Sequence, residues 1–505
     1  MPPLDSFLLV RQMRVIWRDT FVVEPRQPDF LARSRAVSTA LPCYVSDTLV
    51  EPESLQPEPL RVLERVSRSV AVIGHKDLLR FQFAALRIVN LRPALSRLRR
   101  PPEMLTPVQI EAAGRQADQA GSWITVTPIL VLHRAGVGIM EYHVSLTAPG
   151  EGFTPEEAVE QVRLGIGTHL LDLPPAWRDT LPANLNEWLV NGPVSGHESS
   201  CRVICGLRDL SQVIAGRLSR ALTGGRPRRR RDDTLVRPAR PTGSTTVVLV
   251  EVSPQPEADL DAYTAQHAQA LRGIGAMDTY YRERSGWIVE RDLADNLSPD
   301  SEAAFYLLGT SELILFNAGL PAVVESTCRR MHFDEDTAVT YLYAHTCTLM
   351  EWVYIQEALL RAYIQRIDAL VAGGTPRRHE VIAVLQGALS DLIQYQDDIT
   401  PYATRIEFLE KARAYHKLDQ LVERFERKQD LLLDYSSEFY DFREARATEY
   451  LNWLVGITTG AALGDLIVTL SGVSAQTMPL VYLGVMLGSI AVVLIVLGLT
   501  LRRRA

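Results

Sequence analysis

Alternation of apolar and polar positions divides this chain into regions of different character. Residues 123–132 (WITVTPILVL) and 137–146 (VGIMEYHVSL) are β-rich runs. The His133-Arg134-Ala135-Gly136 step between them suits a hairpin with glycine near the turn. Helical spacing follows over 155–171 and again over 207–222. Further on, 245–252 (TTVVLVEV) reads as a strand and 258–274 as a helix. A second hairpin is expected from 305–308 and 312–317 across Gly309-Thr310-Ser311. Helices mixed with an antiparallel-leaning sheet predict an α/β (α+β) cytoplasmic body. The expected boundaries are 1–222 for an N-terminal α/β domain and 245–333 for a second one. Between them, 223–244 is rich in Arg, Pro and Gly and reads as a linker. Its four arginines at 228–231 suit a solvated segment beside Asp232 and Asp233, with a phosphate or anionic-lipid contact as the alternative.

From residue 334 the pattern is helical. Asp334-Glu335-Asp336 places acid in a first turn, which the helix dipole favours, and capping is preferred to a cation site beside His332. Gly373-Gly374-Thr375-Pro376 stops this helix after Val371, and a second helix is expected over 377–396. A third starts at Pro401 and meets no Gly or Pro until Gly456. Along it Leu418, Leu421, Phe425, Lys428, Leu432, Tyr435, Phe439 and Phe442 step by 3 and 4, a heptad seam with one charged interruption. Unbroken over 402–470 it would measure ~100 Å, so 334–450 is read as a helical stalk.

The last 55 residues change the picture most. Residues 451–470 and 479–501 are apolar runs, each long enough to cross a hydrocarbon core of ~30 Å, and 451–501 reads as a two-helix transmembrane hairpin. Arg443 and Arg446 precede it, Arg502, Arg503 and Arg504 follow it, and the loop between the runs has no charge. That asymmetry predicts a multi-pass protein of the cell (inner) membrane with both termini cytoplasmic, in line with a first stretch that does not read as a secretory signal. Asp465 is the only ionisable group in either run. Thr458, Ala461, Asp465 and Thr469 fall on one helical face, a candidate pore lining that would form a ring of carboxylates. Gly484 and Gly488 have the small-xxx-small spacing that permits close helix contact.

Composition narrows the function classes. A net charge of −7 over 505 residues argues against a general nucleic-acid binder. Five scattered cysteines make no disulfide framework. His197, Cys201 and Cys205 fall four apart but lack a fourth ligand, so buried thiols are the preferred reading over a metal site. No P-loop, G-x-S-x-G, HExxH or Cys-x-x-Cys motif is present, and nothing invites an enzyme reading.

A cytoplasmic α/β body, a helical stalk, two apolar runs joined by a short loop and a basic tail resemble the CorA family of divalent-cation channels. The likeness is best over 334–505, including PLVYLGVMLGSIAVVLIVLGLTLRRRA. It implies a homopentamer whose first span lines the pore. It also implies a divalent cation such as Mg²⁺ as transported or regulatory ion, with no other cofactor. The family's Gly-Met-Asn motif is absent. The corresponding outer loop holds Gly472, Ser474 and Gln476, so the resemblance bears on scaffold and assembly more than on Mg²⁺ selection. CorA-like proteins without the motif also serve as effectors in bacterial defence, which would add a small-molecule or protein activator. A non-conducting membrane-anchored scaffold is the remaining reading.

Overall fold

A computed structural model describes residues 8–23, 43–45, 78–90, 123–174, 201–222, 236–238, 243–372 and 402–434 with few gaps, and scattered positions elsewhere. Its described residues form a mixed α+β fold around a 12-stranded sheet. The strands are β1 (Leu9–Val23), β2 (Cys43–Val45), β3 (Leu78–Phe83), β4 (Leu86–Asn90), β5 (Ile124–His133) and β6 (Val137–Thr147), then β7 (Thr168–Leu173), β8 (Cys201–Gly206), β9 (Val236–Pro238), β10 (Ser244–Ser253), β11 (Ala303–Leu308) and β12 (Ser311–Phe316). The order is β11-β12-β10-β1-β6-β5-β4-β7-β8, with β3 also on β5, β2 on β3 and β9 on β1. Only β10 and β12 run parallel; the other pairs are antiparallel.

Both expected hairpins form. β5 and β6 pair from Val126–Val144 to Leu132–Gly138, and Gly136 takes φ +83° in the turn. β11 and β12 close more tightly than expected, through Gly309 at φ +71° and Thr310 alone, with Ser311 already paired to Leu308. Long β1 is the surprise: it sits at the centre of the sheet, between β6 and β10. Through the β1–β10 ladder, the strands before and after 223–244 belong to one sheet, not to two separate ones.

Helices cover both faces. α1 (Pro155–Val162) starts at a capping box in which Thr154 Oγ1 accepts from Glu157 N and the Glu157 carboxylate accepts from Thr154 N. The expected helix over 155–171 ends there, and its last part is strand β7, claimed by ladders to β4 and β8. α2 (Leu207–Leu222) matches its expected bounds. α3 (Leu260–Gln266) and α4 (Ala268–Gly275) replace one expected helix, broken at His267, and α5 (Gly286–Asp292) follows. Side chains alternate across a strand, so Met13, Val15, Trp17, Phe21 and Val23 share one face of β1. They pack with Val159 of α1, Leu210 and Ile214 of α2 and Ile274 of α4 in the main hydrophobic core.

Arg14, Ile16 and Arg18 point to the opposite face, which is covered by the helical region. After α6 (Leu320–Met331) comes α7 (Glu335–Ala372), 38 residues long. Every residue from 347 to 360 is buried, so α7 is a core helix of the body there and not an exposed stalk. α8 (Ala403–Tyr415) packs on the same side, with Phe408 5.2 Å from Phe305 between ring centroids. The expected unbroken rod is interrupted after α8: Lys417 adopts a left-handed φ of +55° before helix resumes over 418–434.

The chain divides into two compact units, Met1–Ile364 with Gly387–Phe425, and Gln365–Gln386 with Glu426–Ala505. The first contains the sheet. In the second, Ile367, Val381, Val384 and Leu432 are buried, and Lys428 pairs with Asp368, which accounts for a lysine on the heptad seam. Among the described residues no helix is long and apolar enough to cross a membrane. Most of 451–501 lies outside the described residues; 455, 483–485 and 487–492 are described, all as helix, with Val455, Leu483, Leu487 and Val492 more than half exposed.

Candidate functional site

The register of the sheet places charged and hydroxyl side chains in rows beneath α7. Arg14 lies opposite Ser145, Ile16 opposite His143 and Arg18 opposite Glu141 on the β1–β6 ladder. On the other side Ile16 meets Thr246, which in turn neighbours Glu312 on β12.

Two connected features result. The first is a buried charge network. Arg18 Nε donates to Glu141 at 2.7 Å, and its Nη1 reaches Glu312 at 3.3 Å and Thr246. Glu312 also accepts from Thr246 Oγ1 and from the Tyr354 hydroxyl of α7. Arg80 on β3 grips Glu351 of α7 through both terminal nitrogens, at 2.6 and 3.1 Å. The side chains of Arg18, Arg80, Glu141, Glu312 and Glu351 are all at most 1% exposed, a setting in which ions persist only when paired.

Their surroundings separate the titrations. Burial raises Glu141, but Arg18 and His143 outweigh it and hold that carboxyl down at about 2. Burial pushes Glu351 up to about 7; Arg80 opposes the shift and the Glu141 charge adds to it. The nearby Cys347 thiol is pushed up to about 12 by burial, so it stays protonated.

The second feature is a cleft of about 370 Å³ where α7 begins. Its lining includes Arg14, Thr125, Thr127, Ser145, Thr337 and Thr340, along with His143 and Tyr343. Arg14 Nη2 donates to Asp336 at 2.5 Å. Asp334 caps the helix, its Oδ1 accepting from Thr337 N at 2.8 Å, which is the role expected for it. Burial pushes the Tyr343 hydroxyl up to about 12, keeping it a donor at neutral pH. His143 Nε2 sits 2.9 Å from Glu141 Oε2, so one imidazole joins the cleft to the buried network. A continuous polar path therefore runs from the cleft through His143, Glu141, Arg18 and Glu312 to Tyr354 in the middle of α7.

The residues singled out from sequence fall elsewhere. Thr458, Ala461, Asp465, Thr469, Gly472, Ser474 and Gln476 lie outside the described residues, as does His197. Cys205 is half-buried on β8, its thiol pushed up to about 12 by burial. Among the described residues no three His, Cys, Asp or Glu side chains converge as a metal site would require. Arg14, Arg18, Arg80, His143, Glu141, Glu312 and Glu351 escaped sequence reasoning. A usable signal exists at Glu351, a lone charge in the apolar run Leu349-Met350-Glu351-Trp352-Val353, where a solvated role is implausible. No family model, no curated protein and no solved structure matches this chain.

Proposed function

We propose that this chain is a homo-oligomeric membrane channel or transporter for cations, of the CorA type, regulated by a sensor body. The observation that carries the reading is α7. It begins at a polar cleft, is tied at Glu351 and Tyr354 to a buried charge network, and continues without interruption to Ala372. A helix of this kind can carry a change at the cleft into the part of the chain that ends in two apolar runs. Leu483, Leu487 and Val492 add support, since large apolar side chains left exposed suit contact with lipid or with other copies. A Cβ built at Gly484 or Gly488 would meet no described atom within 4 Å, which leaves that spacing free for a neighbouring helix. The cleft favours a ligand-gated version, such as an effector in a bacterial defence or signalling system, over an ungated transporter.

Assembly is the first requirement of this reading. The chain should fractionate with membranes, and its native mass in detergent should correspond to a homopentamer. A monodisperse monomer, or full recovery without detergent, would overturn it.

A further inference from the structure

Arg14 offers more than the chain uses. Its side chain is only 9% exposed, yet Nε has no hydrogen-bond partner among the described residues. Among the described residues its one charge partner is Asp336, whose side chain is 75% exposed. Such a carboxylate interacts well with water and is easily exchanged. A buried guanidinium held by a replaceable counter-ion is a cation prepared for another anion.

The rest of the lining indicates which anion. Thr125, Thr127 and Ser145 bring hydroxyl groups that can each turn a donor toward a bound oxyanion, while the Thr340 hydroxyl already donates to the Asp336 carbonyl at 3.0 Å. Thr125, Thr127 and Ser145 come from two paired strands, β5 and β6, and β6 lies beside the strand that carries Arg14. A planar carboxylate is satisfied by the guanidinium edge alone, which would leave these donors idle. A tetrahedral oxyanion has oxygens for both the arginine and the hydroxyls. The volume, about 370 Å³, suits a small molecule. Asp334 and Asp336 also line the cleft and oppose an anion, so binding requires the Asp336 carboxylate to swing out.

We propose that this cleft binds the phosphoryl group of a small phosphorylated ligand, which displaces Asp336 from Arg14. Asp336 is the second residue of α7, so the exchange alters the first turn of the helix while His143 reports the bound charge to Glu141. The assignment deepens the sensor reading above and rests on it only for the consequence of binding.

Inorganic phosphate, titrated calorimetrically into the detergent-solubilised full chain with acetate as the control, tests this. Wild type should bind phosphate saturably and acetate not at all. Asp336→Asn removes an exposed competitor and should tighten phosphate binding about tenfold, while Arg14→Met should weaken it by at least as much. Because Asp336 is exposed, its substitution leaves the fold intact even if Arg14→Met proves unstable. Phosphate affinity unchanged in Asp336→Asn, acetate bound as tightly as phosphate, or no phosphate binding by either wild type or Asp336→Asn would overturn the assignment. Normal binding without any ion flux would leave the site standing and remove only its role as a channel sensor.

Discussion

Arg18 and Arg80 share the space beneath α7 with Glu141, Glu312 and Glu351, two fixed positive charges against three carboxylates. Removing a surplus charge from water is costly enough that a buried group holds a proton instead. Here burial, reinforced by Glu141, moves Glu351 up to about 7. Unfolded, that carboxyl titrates at ~4.3, so between the two values the folded state binds the extra proton. Its stabilising effect is complete below the lower value and disappears as pH rises through about 7. His169 and His345, which burial depresses to about 4, give the opposite slope in acid, so the contribution must be read as a difference. Glu351→Gln mimics the protonated form. Its unfolding midpoint should match wild type below about pH 4 and exceed it near pH 8 by several degrees, on the order of 3 kcal/mol. A pH-independent difference between the two proteins would show that Glu351 is ionised throughout. The same residues explain a blind spot of sequence reasoning. Arg11, Arg14 and Arg18 break the apolar pattern of β1, and a reader of the sequence cannot know that Glu141 and Glu312, more than a hundred residues away, neutralise Arg18.

Elements set by local pattern were legible. β5–β6 and β11–β12 carry their alternation and turn glycines on the surface of the sequence, and α7 ends at the Gly-Gly-Thr-Pro stop. β7 was not, because the helical spacing over 155–171 is overruled from Thr168 onward by ladders to β4 and β8. The break after α8 is also tertiary. Lys417 is no turn former, but Tyr415 accepts a hydrogen bond from Gly309 N and the His416 ring lies 3.7 Å from Glu357, which holds the chain in a bend. A left-handed backbone costs a residue with a Cβ roughly 1–2 kcal/mol, a penalty glycine escapes. Lys417→Gly should therefore stabilise the chain against urea by about 1 kcal/mol. In a continuous helix the same change would destabilise it by a similar amount, so the sign of the shift decides between a bend and a rod.

At the scale of the molecule, the sheet unites strands from both sides of 223–244, and α7 with α8 belongs largely to the body. The sequence divided these regions because an Arg/Pro/Gly-rich segment looks like a boundary, whereas β-pairing of β1 with β10 spans more than two hundred residues. The α+β class was legible; the two-faced sheet and the cleft, which depend on that pairing, were not. The proposed channel function rests on the apolar runs at 451–470 and 479–501 and on Asp465, a lone carboxylate whose placement against lipid would cost ~2.5–3.5 kcal/mol. Cation flux into liposomes containing the purified chain, wild type beside Asp465→Asn, tests this most directly. The account predicts cation-selective flux from wild type and a marked loss of flux or selectivity in Asp465→Asn, with the same native mass. A correctly assembled wild type that passes no cations, or an Asp465→Asn protein with unchanged flux and selectivity, would contradict it.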